Sequence, residues 1–179
     1  KTFELNNSRL FRLFAIRRLG AFATWRSLYD KYLRDAERRG ALYAATSMRR
    51  VSAFLALVAD QPDAARRDLA TASWTPREGG YHVQHWWELE ASAEIALYEG
   101  RAAAAMTELR DSFAGLERSL LLRVKILRVI APWLGARLAL AAASDPACRD
   151  EALHRAERLA RRLEREGTEY ADVWALLVR

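Results

Sequence analysis

Two groups of side chains in this chain have types and spacings that invite chemistry. His82 and His85 stand three residues apart where a helical pattern begins, with Glu88 one turn further on. On a helix that spacing turns both imidazoles to one side, as a shared metal ion would require. The set ends at two or three donors with no cysteine near it, so it predicts packing and polar contacts at a helix N-terminus and no metal. His154, beside Arg155 and Glu157, is expected in solvent. The carboxylate pairs Glu88 with Glu90 and Asp111 with Glu117 have no neighbouring nucleophile or base to act on, and no Ser/His/Asp arrangement is supported by spacing. A glycine-rich phosphate loop, a strand-borne lysine and an Asp-containing catalytic loop are all missing from the sequence. The reading is therefore of no enzyme, no cofactor and no metal.

The second group is aromatic. Trp86 and Trp87 follow Tyr81 closely, and adjacent residues on a helix point about 100° apart. One tryptophan is expected in the core; packing against the next hairpin is the leading reading for the other, and the alternative sets it at a groove, where it would anchor a peptide or a planar ligand. The candidate groove contacts are His82, His85, Trp86, Tyr98 and Arg123.

Charge narrows the partner classes. Formal net charge is +6, and only three of the 29 basic residues are lysines, Lys1, Lys31 and Lys125. The arginines are spread along the chain beside acids, as in Asp35-Ala36-Glu37-Arg38-Arg39, which is the pattern of solvated helix faces and argues against a dedicated nucleic-acid site. Cys148 is the single cysteine, so no disulfide can form within the chain and a reducing cytoplasm fits. The most apolar run, Leu120 to Ala143, carries Arg123, Lys125, Arg128 and Arg137, too many charges for a membrane helix. The opening residues Lys1-Thr2-Phe3-Glu4 lack an initiator Met and a signal-peptide pattern, and are read as the start of a segment of a larger protein.

The elements that must carry these residues are helices throughout. Ala44, Met48, Val51, Leu55 and Val58 fall on one helical stripe. Gly20, Gly40, Asp60 to Asp63, Gly79-Gly80, Gly100, Ser119 and Ser144 to Pro146 divide the chain into helix-sized pieces. These predict about nine helices: Ser8 to Leu19, Ala21 to Arg39, Ala41 to Ala59, Pro62 to Ser73, Tyr81 to Glu99, Arg101 to Arg118, Ser119 to Ala143, Pro146 to Glu166 and Thr168 to Arg179. Only Trp74 to Gly80 reads as a longer loop. Pro132 inside the seventh piece removes a backbone donor and crowds the carbonyl of Arg128, so a kink or a break is expected near Ile130 to Pro132, softened further by Gly135.

An internal repeat joins the pieces. Asp60, Ala65 and Leu69 recur forty residues later as Gly100, Ala105 and Leu109, each set following an apolar helix. Turn, small residue, larger residue is the spacing of tetratricopeptide-like hairpins, in which the small side chain lets the second helix approach the first. The expected fold is all-α, a right-handed stack of antiparallel helical hairpins forming one domain over residues 1–179. The runs Phe11-Arg12-Leu13-Phe14-Ala15, Leu33 to Thr46, His85-Trp86 with Ile95 to Gly100, and Ser119 to Val124 resemble the C-terminal helical-repeat region of large bacterial serine/threonine protein kinases. In that family a kinase domain and a signalling ATPase module precede tetratricopeptide-like repeats. The resemblance implies a non-catalytic interaction or regulatory module, binding a protein or peptide segment or upstream domains of the same chain. The alternative is a sensor of a small-molecule effector, and neither nucleic acid nor membrane is expected as partner.

Overall fold

The computed structural model describes residues 2–72 and 79–179, and among them every regular element is helical. The elements are α1 (Thr2–Arg18), α2 (Phe22–Arg38), α3 (Leu42–Val58), α4 (Pro62–Thr71), α5 (Val83–Tyr98), α6 (Ala102–Glu108), α7 (Arg110–Arg118), a 3-10 turn (Leu120–Arg123), α8 (Lys125–Ala142), α9 (Arg149–Glu164) and α10 (Glu169–Val178). They gather into two compact units, Lys1–Arg77 and Glu78–Arg179. The longer loop expected over Trp74 to Gly80 lies, through residue 78, outside the described residues.

Left-handed links set the length of the helices. The helices α1, α2 and α3 are 17 residues each, joined by three-residue links whose middle residues Gly20, Gly40 and Asp60 have φ of 70°, 62° and 55°. At the second link the Gly40 and Ala41 amides donate to the carbonyls of Glu37 and Ala36 at 3.0 and 2.9 Å. This pair of bonds satisfies carbonyls that the ending helix leaves open. Asp60 and Gln61 make the same pair to Leu57 and Ala56, as do Gly100 and Arg101 to Leu97 and Ala96. Asp can stand in for Gly at Asp60 because its short polar side chain tolerates the left-handed region. The repeat noticed in the sequence is thus a repeat of link geometry, and five residues after each link comes a fully buried alanine, Ala65 or Ala105.

In the first unit, contacts later on one helix meet residues earlier on the next, so neighbours run antiparallel. Arg9 and Arg12 of α1 bond to Asp35 and Tyr32 of α2. Arg26 donates to the Leu55 carbonyl, and Glu37 accepts from Arg49, between α2 and α3. Leu13, Trp25, Met48 and Ala65 are fully buried. Asp35 is the polar hub, within 2.5 Å of Arg9, 3.0 Å of Arg39 and 3.3 Å of Arg38. Hydrogen bonds from Arg9 and then Arg39 hold its carboxyl down at about 2.

In the second unit α8 is the central helix, packed against α5, α6, α9 and α10. One buried cluster joins Ala136, Ala139 and Ala142 of α8 to Ala152, Ala156 and Ala160 of α9, with Ala102, Ala105 and Met106 of α6. A second gathers Val129 and Leu163 with Ala171 and Ala175 of α10, and the Trp133 and Trp174 rings stack against it, centroids 5.1 Å apart. Glu94 on α5 accepts two bonds from the Arg137 guanidinium of α8, at 2.7 and 3.0 Å.

Three expectations about elements change. The break at Pro132 does not occur: α8 runs without interruption from Lys125 to Ala142, with Pro132 fully buried. The lost donor is one bond among many, and apolar contacts on Val129, Leu134 and Leu138 hold both halves in place. Gly135 permits close packing here, since a Cβ at this position would lie 3.1 Å from Leu159 Cδ1. The discontinuity falls earlier. Ser119 Oγ accepts from the Leu121 amide and donates to the Leu116 carbonyl, which starts the 3-10 turn, and Val124 is extended. Such local side-chain bonds compete with a helix. Leu120 and Val124 are exposed, so burial offers no compensation for helix there. The piece Arg101 to Arg118 is divided at Leu109 into α6 and α7, although the bonds from Leu109 to Ala105 and from Phe113 to Leu109 persist.

Ala65→Leu and Ala105→Leu should each overpack a full contact and destabilise the protein by about 1 to 3 kcal/mol. Chemical denaturation checks this, with Ala104→Leu, at an exposed site, expected to be near neutral. A separate outcome follows from Asp35. Its folded pKa of about 2 lies below the ordinary 3.8, so its contribution is complete above the unfolded value and fades as pH falls through the folded one. Between about pH 4 and pH 2 the parent should therefore lose stability more steeply than Asp35→Asn, which should be the less stable of the two at neutral pH.

Candidate ligand-binding site

The histidine pair has a structural task. His82 is the residue before the first turn of α5, extended at φ −108° and ψ 165°, and His85 lies three residues on. The His82 amide donates to His85 Nδ1 at 2.9 Å, and the imidazole of His82 faces the His85 amide in return. This is a capping box in which histidine does what Glu or Gln usually does. The Tyr81 ring lies tilted against the His85 ring, centroids 5.2 Å apart, and the absence of a Cβ at Gly115 lets the Tyr81 ring sit against α7, where a Cβ would be 2.8 Å from Cδ2. Burial pushes the Tyr81 hydroxyl well above the usual tyrosine range, with Glu88 adding to it. No group of three His, Cys, Asp or Glu residues among the described ones is arranged to hold a metal ion.

The other candidate contacts do not assemble into one site. Trp86 and Trp87 are both buried, 2% and 8% exposed. The packing reading holds for both and the groove alternative does not, because α5 also buries Gln84, Glu90 and Glu94 and is covered on nearly every side. Tyr98 is half exposed at the far end of α5, separated from His82 by a helix of 16 residues, about 24 Å. Arg123 is exposed at the end of the 3-10 turn. His154 is in solvent, its Nδ1 2.7 Å from the Asp150 carbonyl oxygen.

The site that the geometry does build lies between α7, α8 and α9, a cleft of about 290 Å³. Its floor is Phe113, Leu116, Ala131, Pro132, Gly135 and Leu159, and its rim carries Arg110, Arg155, Arg158 and Glu117. Small residues on α8 leave the space: Gly135 lacks a side chain and Ala131 has one carbon, so Phe113 and Leu159 approach without closing it. The rim is electrostatically unbalanced. Glu117 is engaged by Arg162 at 2.5 Å, and Arg128 and Arg137 have Glu166 and Glu94, yet Arg110, Arg155 and Arg158 make no ion pair among the described residues. Arg155 lies over the Phe113 ring with its guanidinium carbon 5.3 Å from the centroid. Burial first, then the positive charge of Arg158, lowers its pKa, with Glu151 and Glu117 pulling the other way and Arg110 adding to the strain. Arginine stays cationic even so. Guanidinium groups of like sign facing one apolar cleft make a receptor for an anionic group with an apolar body.

Reading along the chain could not find this site, because its arginines come from positions 110, 155 and 158 and only the antiparallel packing of α8 on α9 brings them beside α7. The available signal was weaker: Pro132 and Gly135 in an otherwise bulky apolar run mark a place where small size was tolerated. The chain matches no known protein-family model, no curated protein and no solved structure.

If His85 closes the cap of α5, His85→Ala should cost about 1 kcal/mol of stability, and His85→Gln, which restores an acceptor at the same position, should recover most of it. Thermal melts of the two variants beside the parent decide the matter; equal losses in both would assign His85 to packing alone.

Proposed function

We propose that the chain is a non-catalytic interaction module of helical hairpins, belonging to a multidomain cytoplasmic signalling protein, with a protein or peptide segment or another domain of the same chain as its partner. The observation that carries this reading is the arginine-rimmed cleft of α7, α8 and α9, an accessible site made of groups that bind without reacting. The side chains with catalytic potential are engaged elsewhere, His82 and His85 in the α5 cap and Glu94 with Arg137. The resemblance of the runs from Phe11, Leu33, His85 and Ser119 to kinase-associated helical repeats supports the signalling context, and the recurrence of the link at Asp60 and Gly100 supports a stack of hairpins. Among the described residues no helix is long and apolar enough to cross a membrane. A sensor of a small effector would call for an enclosed pocket, and this cleft, open along its rim, suits one or two side chains of a larger partner.

The purified chain should neither hydrolyse ATP nor transfer phosphate, and panning a random peptide library against it should converge on a recognisable segment. Turnover that tracks the folded protein through purification, or a library that yields no convergent sequence, would overturn the reading.

A further inference from the structure

We infer that the cleft between α7, α8 and α9 recognises an acidic peptide segment in which carboxylates flank an aliphatic side chain, the carboxylates meeting Arg110, Arg155 and Arg158 and the aliphatic group entering the floor. This deepens the interaction-module reading and rests on it.

Three cations share the cleft rim, and none has a carboxylate of the described chain within ion-pair distance. Elsewhere in the same unit the arginines that lie against neighbouring helices are matched, Arg128 by Glu166, Arg137 by Glu94 and Arg162 by Glu117. The match at Arg162 matters to the cleft, because it engages the rim's one acid directly, so that Glu117, with Glu151, offsets the charge of Arg155 only from beyond ion-pair distance. Holding like charges together costs free energy that an incoming anion returns, and a guanidinium offers two parallel N–H donors to a carboxylate.

The floor then selects among anions. It is apolar on both walls, with Leu116 and Phe113 from α7 and Leu159 from α9. Pro132 has no amide hydrogen and Gly135 no side chain, so the bottom of the cleft offers no donor to a bare phosphate or sulfate. A ligand that is charged throughout would leave this surface wet. A nucleotide base would need a free aromatic face, and the Phe113 ring is already covered by Arg155. The volume admits one aliphatic side chain with room at the rim for its neighbours. An extended segment turns alternate side chains to opposite sides, so a run of Glu and Leu in alternation or in pairs can bring a leucine down and place carboxylates beside the arginines.

Fluorescence anisotropy with short labelled peptides on the intact chain tests this. The probes are one peptide alternating Glu and Leu, the same peptide with Gln for Glu, and the same with Ser for Leu. The first should bind, with affinity falling as salt rises, and both altered peptides should bind about tenfold or more weakly. Arg110→Gln and Arg158→Gln, at exposed positions, should each weaken the first peptide by about tenfold without lowering the melting temperature. Lys31→Gln and Arg34→Gln, on the basic face of α2, should leave it untouched. Methyl chemical shifts should move at Leu116 and Leu159. Binding that ignores the Arg110 and Arg158 changes, or that inorganic phosphate or phosphatidylserine vesicles displace as well as the acidic peptide does, would overturn the inference. So would failure of the acidic peptide to bind. If library panning still converges on segments without acids, the interaction-module reading stands and this one falls alone.

Discussion

Close approach of helix backbones across alanine-lined seams is the condition on which the packing of the second unit depends. Where α8 meets α9, both sides of the contact present a small side chain at each turn, Ala136, Ala139 and Ala142 against Ala152, Ala156 and Ala160. Small residues there let many atoms come into van der Waals contact at once, each weak and together considerable. The same device appears on α7, where Gly115 receives the ring of Tyr81 from the segment just before α5, and between α8 and α9 again, where Gly135 receives Leu159. A cleft is what remains where this close approach relaxes. Beside α7 the small residues of α8 face Phe113 and Leu116, which are too large to nest fully and too few to fill the gap.

Close packing also governs the charges. A carboxylate held between helices gives up most of its hydration, and leaving one there unpaired costs more than pairing it returns. The chain answers this by placing an arginine across the seam, as Arg137 does for Glu94 and Arg128 for Glu166. Arg9 does the same in the first unit for Asp35. Against that habit the unmatched Arg110, Arg155 and Arg158 stand out, and their common opening onto an apolar floor turns an electrostatic imbalance into a recognition surface.

The histidines illustrate how one residue type can suggest one chemistry and perform another. His82 and His85 have the spacing of metal ligands, and the identical spacing is that of a capping box, residue before the helix to third residue within it. Sequence spacing fixes which atoms can meet and leaves open what they meet for. Here a ring nitrogen accepts the amide of its own helix start. Of the five candidate contacts, two serve that cap, Trp86 is core, and Tyr98 and Arg123 lie at separate ends of elements. Side-chain type alone could not distinguish these environments, because amphipathic residues such as His, Trp and Tyr are at home in all of them.

The amino-acid sequence by itself determined the helical character of the chain, the positions of its links and the alanines that follow them. These are local matters: glycine or aspartate is needed where φ turns positive, and a 3.6-residue period shows wherever one face is buried. It also carried the register of the Asp60 and Gly100 links, since each depends on residues within one turn of it. Tertiary structure alone decided that α8 would run through Pro132, because the compensating contacts on Val129, Leu134 and Leu138 come from other helices. It decided likewise that the run from Leu120 to Val124 would leave the α-helix, where Leu120 and Val124 stay exposed and their burial cannot outweigh the Ser119 bonds. The cleft belongs wholly to this second category, because cations at positions 110, 155 and 158 become neighbours only when antiparallel packing brings distant parts of the chain to one wall.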